Sequence, residues 1–360
     1  MNIRREDLGR QIDRNLAVDA LRIYAMVMVT ILHITGRGLE NSPIIPLSGT
    51  YWIVLFVRVF SLAAVNCFVL ITGYFLSTQN IKLKKLVMLW LQVWMYSVGV
   101  YLIVCTLPAT GVTFSIKELI RNGLPILSNQ YWFFKYYFLL CLISPVLNTL
   151  IQTADKSNYQ KILILLLIVF CAIPSVNIFG DSFGVNAGYS LIWFAILYLV
   201  AGYFRRYSIN LRVKPFLLYV ACCLSLCFIC LIGDLMGSLV RVMANLQLNY
   251  NSPLVFLASV SLVILCTSAN WRFGKLTTML IKTVSPLVFG VYLLHDHGIM
   301  SGLIWGEWAK LSEVADNPIG FTMRAAYVML VLFLCGIVME WLRSCFVKGI
   351  ASLMNRISVK

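Results

Sequence analysis

The sequence predicts an all-α polytopic membrane protein of about ten transmembrane helices, with both termini cytoplasmic and one membrane domain over residues 1–360. Three observations lead there. The 360 residues are 60% hydrophobic and only 12% charged, with a mean hydropathy of +0.86, far outside the range of soluble domains. A hydropathy window of about 19 residues finds ten apolar stretches, at 16–35, 51–77, 86–107, 131–151, 161–179, 188–204, 214–233, 253–269, 284–304 and 322–346. The basic residues then sort by side: with the N-terminus inside, 20 of the 29 fall on inner segments and six on outer ones, leaving Arg22, Arg58 and Lys135 within spans. That asymmetry orients the chain. The net charge of +15 therefore reflects topology and attraction to anionic lipids or an anionic cytoplasmic ligand, and a nucleic-acid partner is not expected.

The first span carries the most informative pair. Arg22 and His33 are eleven residues apart, which at about 100° and 1.5 Å per residue places them on one helix face about 16 Å apart. An arginine deep in a bilayer costs on the order of 2.5–3.5 kcal/mol on insertion scales, so it lines a polar cavity or a functional path more readily than lipid. Asp19, three residues before Arg22, is placed for a helix-end ion pair. The mixed charge ahead of the span and the lack of a small-residue cleavage site argue that this helix is retained in the mature protein. Between the third and fourth spans, residues 108–130 place Ile116, Leu119, Ile120, Leu124 and Leu127 at roughly helical spacing, as an interfacial helix would. The fourth span opens with the aromatic run Tyr131 to Tyr137, which suits an aromatic belt. Lys135 within it can snorkel outward or turn into a cavity.

All 11 cysteines lie in or near apolar spans. Cys222, Cys223, Cys227 and Cys230 lack a histidine or carboxylate at ligand spacing, so they read as small packing residues rather than a metal site. All three histidines, His33, His295 and His297, fall within expected spans. A histidine there can serve as hydrogen-bonding glue between helices. It can equally titrate near neutral pH and take a proton from a hydroxyl. No Ser-His-Asp set, Walker loop or metal-binding histidine pair is present. The residues themselves thus point to a polar membrane cavity holding a base. They leave open an enzyme, or a transporter whose intramembrane Arg22, Arg58, Lys135 and histidines line a path. No paired broken helices in two halves favour the transporter. A glycan polymerase would call for larger outer loops rich in arginine.

Several runs resemble the integral-membrane acyltransferase family 3. Arg22, ten residues, then His33 resembles its signature. Val65 to Leu76, ending Thr72-Gly73-Tyr74-Phe75-Leu76, resembles an apolar run closing in Ser-Gly-Tyr/Phe-Leu, with Thr72 for serine and Asn66 where proline is common. Tyr131-Trp132-Phe133 through Ser144-Pro145-Val146-Leu147-Asn148, and Gly290-Val291-Tyr292-Leu293-Leu294-His295, resemble later segments. The resemblance implies transfer of an acyl group, typically acetyl from cytoplasmic acetyl-coenzyme A, to a hydroxyl of a cell-surface polysaccharide or its lipid-linked precursor in a bacterial plasma membrane. It implies His33 as general base or transient acyl carrier, and Arg22 with Lys84 or Lys85 meeting the donor phosphates. Asp19, Asn66, Tyr74, Trp132, Lys135 and His295 are further cavity residues, able to orient the sugar or stabilise an oxyanion. No metal is expected.

Overall fold

The computed structural model describes residues 14–40, 42, 44–79, 81–207, 213–269 and 271–357. Arg4, Arg5, Arg10, Arg212 and Lys360, part of the charge asymmetry above, lie outside them. Helix α1 (Leu16–Thr35) begins where the Asn15 side chain accepts hydrogen bonds from the amides of Ala17 and Val18, at 3.0 and 3.2 Å, satisfying two of the orphan donors of a first turn. It stops at Gly36, whose amide returns to the Leu32 carbonyl at 2.9 Å.

The second expected span is divided into α2 (Gly49–Ser61) and α3 (Ala64–Leu76) by a turn at Leu62 and Ala63. Ser61 Oγ donates to the Val57 carbonyl at 2.6 Å, the back-bonding that bends helices. Then follow α4 (Leu83–Thr106), the short amphipathic α5 (Ile116–Gly123) in the connection where a helix was expected, and α6 (Trp132–Thr153). Pro145 sits inside α6 and cannot bond the Cys141 carbonyl. Ser144 Oγ does so instead, at 2.8 Å. Helices α7 (Lys156–Leu167), α8 (Leu191–Arg206), α9 (Pro215–Met236), α10 (Ser238–Leu246), α11 (Pro253–Ser268), α12 (Lys275–Val284), α13 (Val288–His295), α14 (Gly298–Gly302) and α15 (Pro318–Ile357) complete the chain. Among the described residues there is no strand.

Eight helical stretches are long and apolar enough to cross a membrane: Leu16–Leu39, Gly49–Leu76, Leu83–Thr106, Trp132–Thr153, Lys156–Val176, Pro215–Met236, Lys275–His295 and Pro318–Ser352. The sixth and eighth expected spans correspond to α8 and α11, of 16 residues each and so about 24 Å long. The ninth differs in position. Hydropathy alone places it at 284–304, whereas the helical stretch starts at Lys275 and ends at His295. The amphipathic turns bearing Lys275 and Lys282 depress the apolar average. At the other end, Asp296 and His297 break the helix although their surroundings are apolar. Pro286 divides α12 from α13 through one 3-10 turn, as expected of a proline inside a helix.

Glycines let the helices that carry the site approach closely. A Cβ on Gly73 of α3 would stand 2.8 Å from the Tyr198 carbonyl oxygen of α8, and one on Gly336 of α15 would stand 2.5 Å from Val291 Cα of α13. All 11 cysteines are free thiols, and Cys222, Cys223, Cys227 and Cys230 are buried in the packing of α9.

Candidate active site

On α1, Met26, Val29 and His33 follow Arg22 at intervals of four, three and four residues, a single helix face. Met26, Val29, Leu32 and His33 line a narrow cavity of about 50 Å³, room for a few water molecules. Its other walls are Val65 and Phe68 of α3, Trp132 and Phe133 of α6, Phe289 and Tyr292 of α13, and Tyr250. Below it toward Arg22, Phe133 stacks on Tyr137 with centroids 5.6 Å apart. The Tyr137 hydroxyl lies 3.2 Å from Thr72 Oγ1, and Phe75, one turn further along α3, sits under the Arg22 guanidinium at 5.9 Å. A column of aromatic and small polar groups therefore runs from Arg22 to His33.

At the His33 end the rings gather. His33 and His295 have centroids 4.8 Å apart, and Trp305 stands 6.3 Å from each. Nδ1 of His295 is 2.6 Å from the Val291 carbonyl oxygen. A carbonyl only accepts, so this nitrogen carries the proton and the neutral ring keeps a lone pair on Nε2. That Nε2, His33 Nδ1, the Tyr292 hydroxyl and Trp305 Nε1 are all buried without a hydrogen-bond partner in the protein. Each such group costs roughly 1–3 kcal/mol, so four of them around one pair of rings mark a site built to meet polar groups from outside the chain. The neighbouring His297 is differently committed, with Nε2 3.0 Å from the Ser97 carbonyl.

Past His33 the chain turns through Arg37, whose Nη2 pairs with Asp296 Oδ1 at 2.6 Å and whose Nη1 donates to Ser301 Oγ at 2.7 Å. This ties the end of α1 to the break after α13, directly beside His295. The Asp296 side chain is only 2% exposed and Arg37 36%, so Arg37→Ala strands a buried carboxylate. The expected loss is about 3 kcal/mol, the lower end for a broken buried pair, read as a fall in melting temperature of the detergent-solubilised protein. Asp296→Asn in the same background should recover part of it.

Two larger cavities open at this end, of about 540 Å³ and 680 Å³, sharing Gly36, Glu40 and Ser42. Trp305 lines the larger and touches the His33 ring edge-on. At the opposite end of α1, Asp19 is buried and accepts from Arg22 Nη1 at 2.7 Å and from Arg14 Nε. Arg14 also donates to the Lys282 carbonyl of α12 at 3.1 Å.

The remaining residues of interest are dispersed. Trp132 lines the narrow cavity, stacked on Tyr250 with centroids 6.2 Å apart. Asn66 is buried and engaged on both sides: its Nδ2 donates to the Tyr250 carbonyl at 2.8 Å and its Oδ1 accepts from Trp193 Nε1 at 3.1 Å. It thus positions one wall. Tyr74 accepts from Arg205 Nη1 at 3.3 Å beneath the guanidinium, toward the Arg22 end of α3. The Lys135 ammonium sits over the Tyr136 ring at 5.2 Å. Lys84 and Lys85 are exposed at the start of α4. Among the described residues no three metal-ligating side chains come together.

A family model described as an acyltransferase domain, of acyltransferase family 3, matches residues 15–350. The chain belongs to this acyltransferase family. Neither the curated proteins nor the solved structures give a match. The matched span runs from the cap of α1 into the last turns of α15, so every helix around His33 is part of the acyltransferase domain. Sequence reasoning alone passed over three neighbours of His33 in this acyltransferase: Arg37, counted only as an outer charge, Asp296 and Trp305. Asp296 carried a usable signal, a carboxylate between two histidines at the end of an apolar run.

Proposed function

We propose that this acyltransferase moves an acyl group, acetyl in the first instance, from cytoplasmic acyl-coenzyme A to a hydroxyl of a cell-surface polysaccharide or its lipid-linked precursor, across a bacterial plasma membrane. The observation that carries the reading is the position of His33. It stands between an apolar column leading to Arg22 and two roomy cavities at the opposite end of the same helix. The donor's phosphates meet Arg22, with Lys84 and Lys85 on the approach, and its slender arm runs along the column. The acceptor enters from the cavities bordered by Trp305.

His33 takes the proton of the acceptor hydroxyl as that oxygen attacks the thioester carbonyl carbon. The tetrahedral oxyanion needs donors; Trp305 Nε1–H and the Tyr292 hydroxyl have uncommitted protons there. Collapse breaks the carbon–sulfur bond, and the imidazolium proton goes to the departing thiolate. His295, whose Nε2 lone pair is free in the neutral ring, shares that proton during the step. Arg22→Ala should raise KM for the acyl donor about tenfold while changing kcat less, since it removes binding remote from the reacting atoms. Initial rates of transfer from labelled acetyl-coenzyme A by purified protein test this; an unchanged donor KM would remove Arg22 from the donor site.

A further inference from the structure

The smaller of the two outer cavities contains an arginine that the reading above does not use. Tyr51, Val54, Leu55 and Arg58 all line it; spaced by three, one and three residues, they form one face of α2. Arg58 is nine residues into the helix, about 14 Å from its first residue at 1.5 Å per residue. On the facing side, Asp234 of α9 is fully used. It accepts from the Tyr51 hydroxyl at 2.8 Å and pairs with Arg241 Nε at 3.3 Å, while Arg241 Nη2 donates to its backbone carbonyl at 3.2 Å. Arg58 makes no hydrogen bond or ion pair among the described residues. Glu40, the other acid of the cavity, is exposed at the junction with the larger cavity and also unpaired. An uncompensated guanidinium at that depth is costly unless a partner anion arrives, and in a partly desolvated cavity the pairing is strong. Thr35 and Gly36, the second and third residues after His33, line the same cavity, and Ser42 and Asn245 add neutral hydrogen-bonding groups suited to hydroxyls.

We infer that Arg58 is the receptor for an anionic group on the acceptor glycan, a uronate carboxylate or a phosphate, and selects acidic acceptors over neutral ones. This rests on the proposed transfer to a glycan hydroxyl. The test measures transfer of labelled acetyl from acetyl-coenzyme A by the full-length protein in detergent to two pairs of acceptors. One pair is a uronic-acid oligosaccharide and its carboxyl-reduced form; the other is a polyprenyl-pyrophosphate oligosaccharide and the same sugar freed of its carrier. Wild type should favour the anionic member of one pair by about tenfold in kcat/KM, mostly through KM, the order of a charge-assisted hydrogen bond. Which pair it is identifies the anion. Added salt should shrink the preference, Arg58→Gln should abolish it and Arg58→Lys should keep most of it. Equal use of both members of both pairs by wild type overturns the inference without needing any variant, as does a preference that survives in Arg58→Gln. Transfer to none of the four acceptors would overturn the glycan acyltransferase reading itself.

Discussion

Substituting His33 by alanine is expected to lower acyl transfer by about 10²- to 10⁴-fold, the range associated with removing a general base, while leaving the protein folded. The two halves of that expectation have separate physical grounds. His33 is the imidazole facing the narrow cavity, and its Nδ1 makes no bond to the protein, so the substitution strands no partner elsewhere. The structural loss is confined to edge contacts with His295 and Trp305. Mass spectrometry of ester groups on the surface glycan, together with the melting temperature of the purified variant, checks both halves. Loss of transfer with an unfolded protein would say nothing of catalysis, which is why the two are measured together. His33→Gln, which keeps a hydrogen-bonding side chain but cannot accept a proton at neutral pH, should be as impaired as the alanine variant.

Replacing Gly336 by leucine is expected to disrupt the site from a distance and to destabilise the protein strongly. The Cβ of even an alanine there would stand 2.5 Å from Val291 Cα and 2.9 Å from Val291 N, and Gly290 on the facing helix is equally tight against Glu340 and the Gly336 carbonyl. Backbone cannot rotate out of the way, so α13 must move as a unit. Overpacking of this kind costs about 1–3 kcal/mol for an added methylene or two, and leucine adds more. The same displacement carries Tyr292 and the Val291 carbonyl that holds His295, so transfer should fall further than the melting temperature alone accounts for. Gly99 in α4, where a Cβ would meet nothing within 4 Å, is the matched control: Gly99→Ala should be neutral or slightly stabilising.

The contrast between these positions explains how far the sequence reaches. Hydrophobic runs long enough to span lipid are local properties, so eight of the ten expected spans coincide with long apolar helices and two with shorter ones. Helical periodicity is local as well, and it suffices to put Arg22 and His33 on one face of α1. What is not local was not legible. The Arg37–Asp296 pair joins residues 259 positions apart, and Trp305 reaches His33 from a turn beyond the ninth span. Motif resemblance names residues without orienting them. Thus Tyr74 turns toward Arg205, and Asn66 spends its hydrogen bonds on Tyr250 and Trp193. The break at Leu62 and Ala63 depends on a single serine bonding back to its own helix, which a hydropathy average cannot register.

The central claim is that His33 joins an inner thioester donor to an outer hydroxyl acceptor. Its most direct measurement is the fate of label when purified wild-type protein is incubated with acetyl-labelled acetyl-coenzyme A and an acceptor glycan. The account predicts alkali-labile acetyl ester on the glycan in step with released coenzyme A, and neither product with His33→Ala. Label that stays on coenzyme A with the wild-type protein, or ester formed at the wild-type rate by His33→Ala, would contradict it.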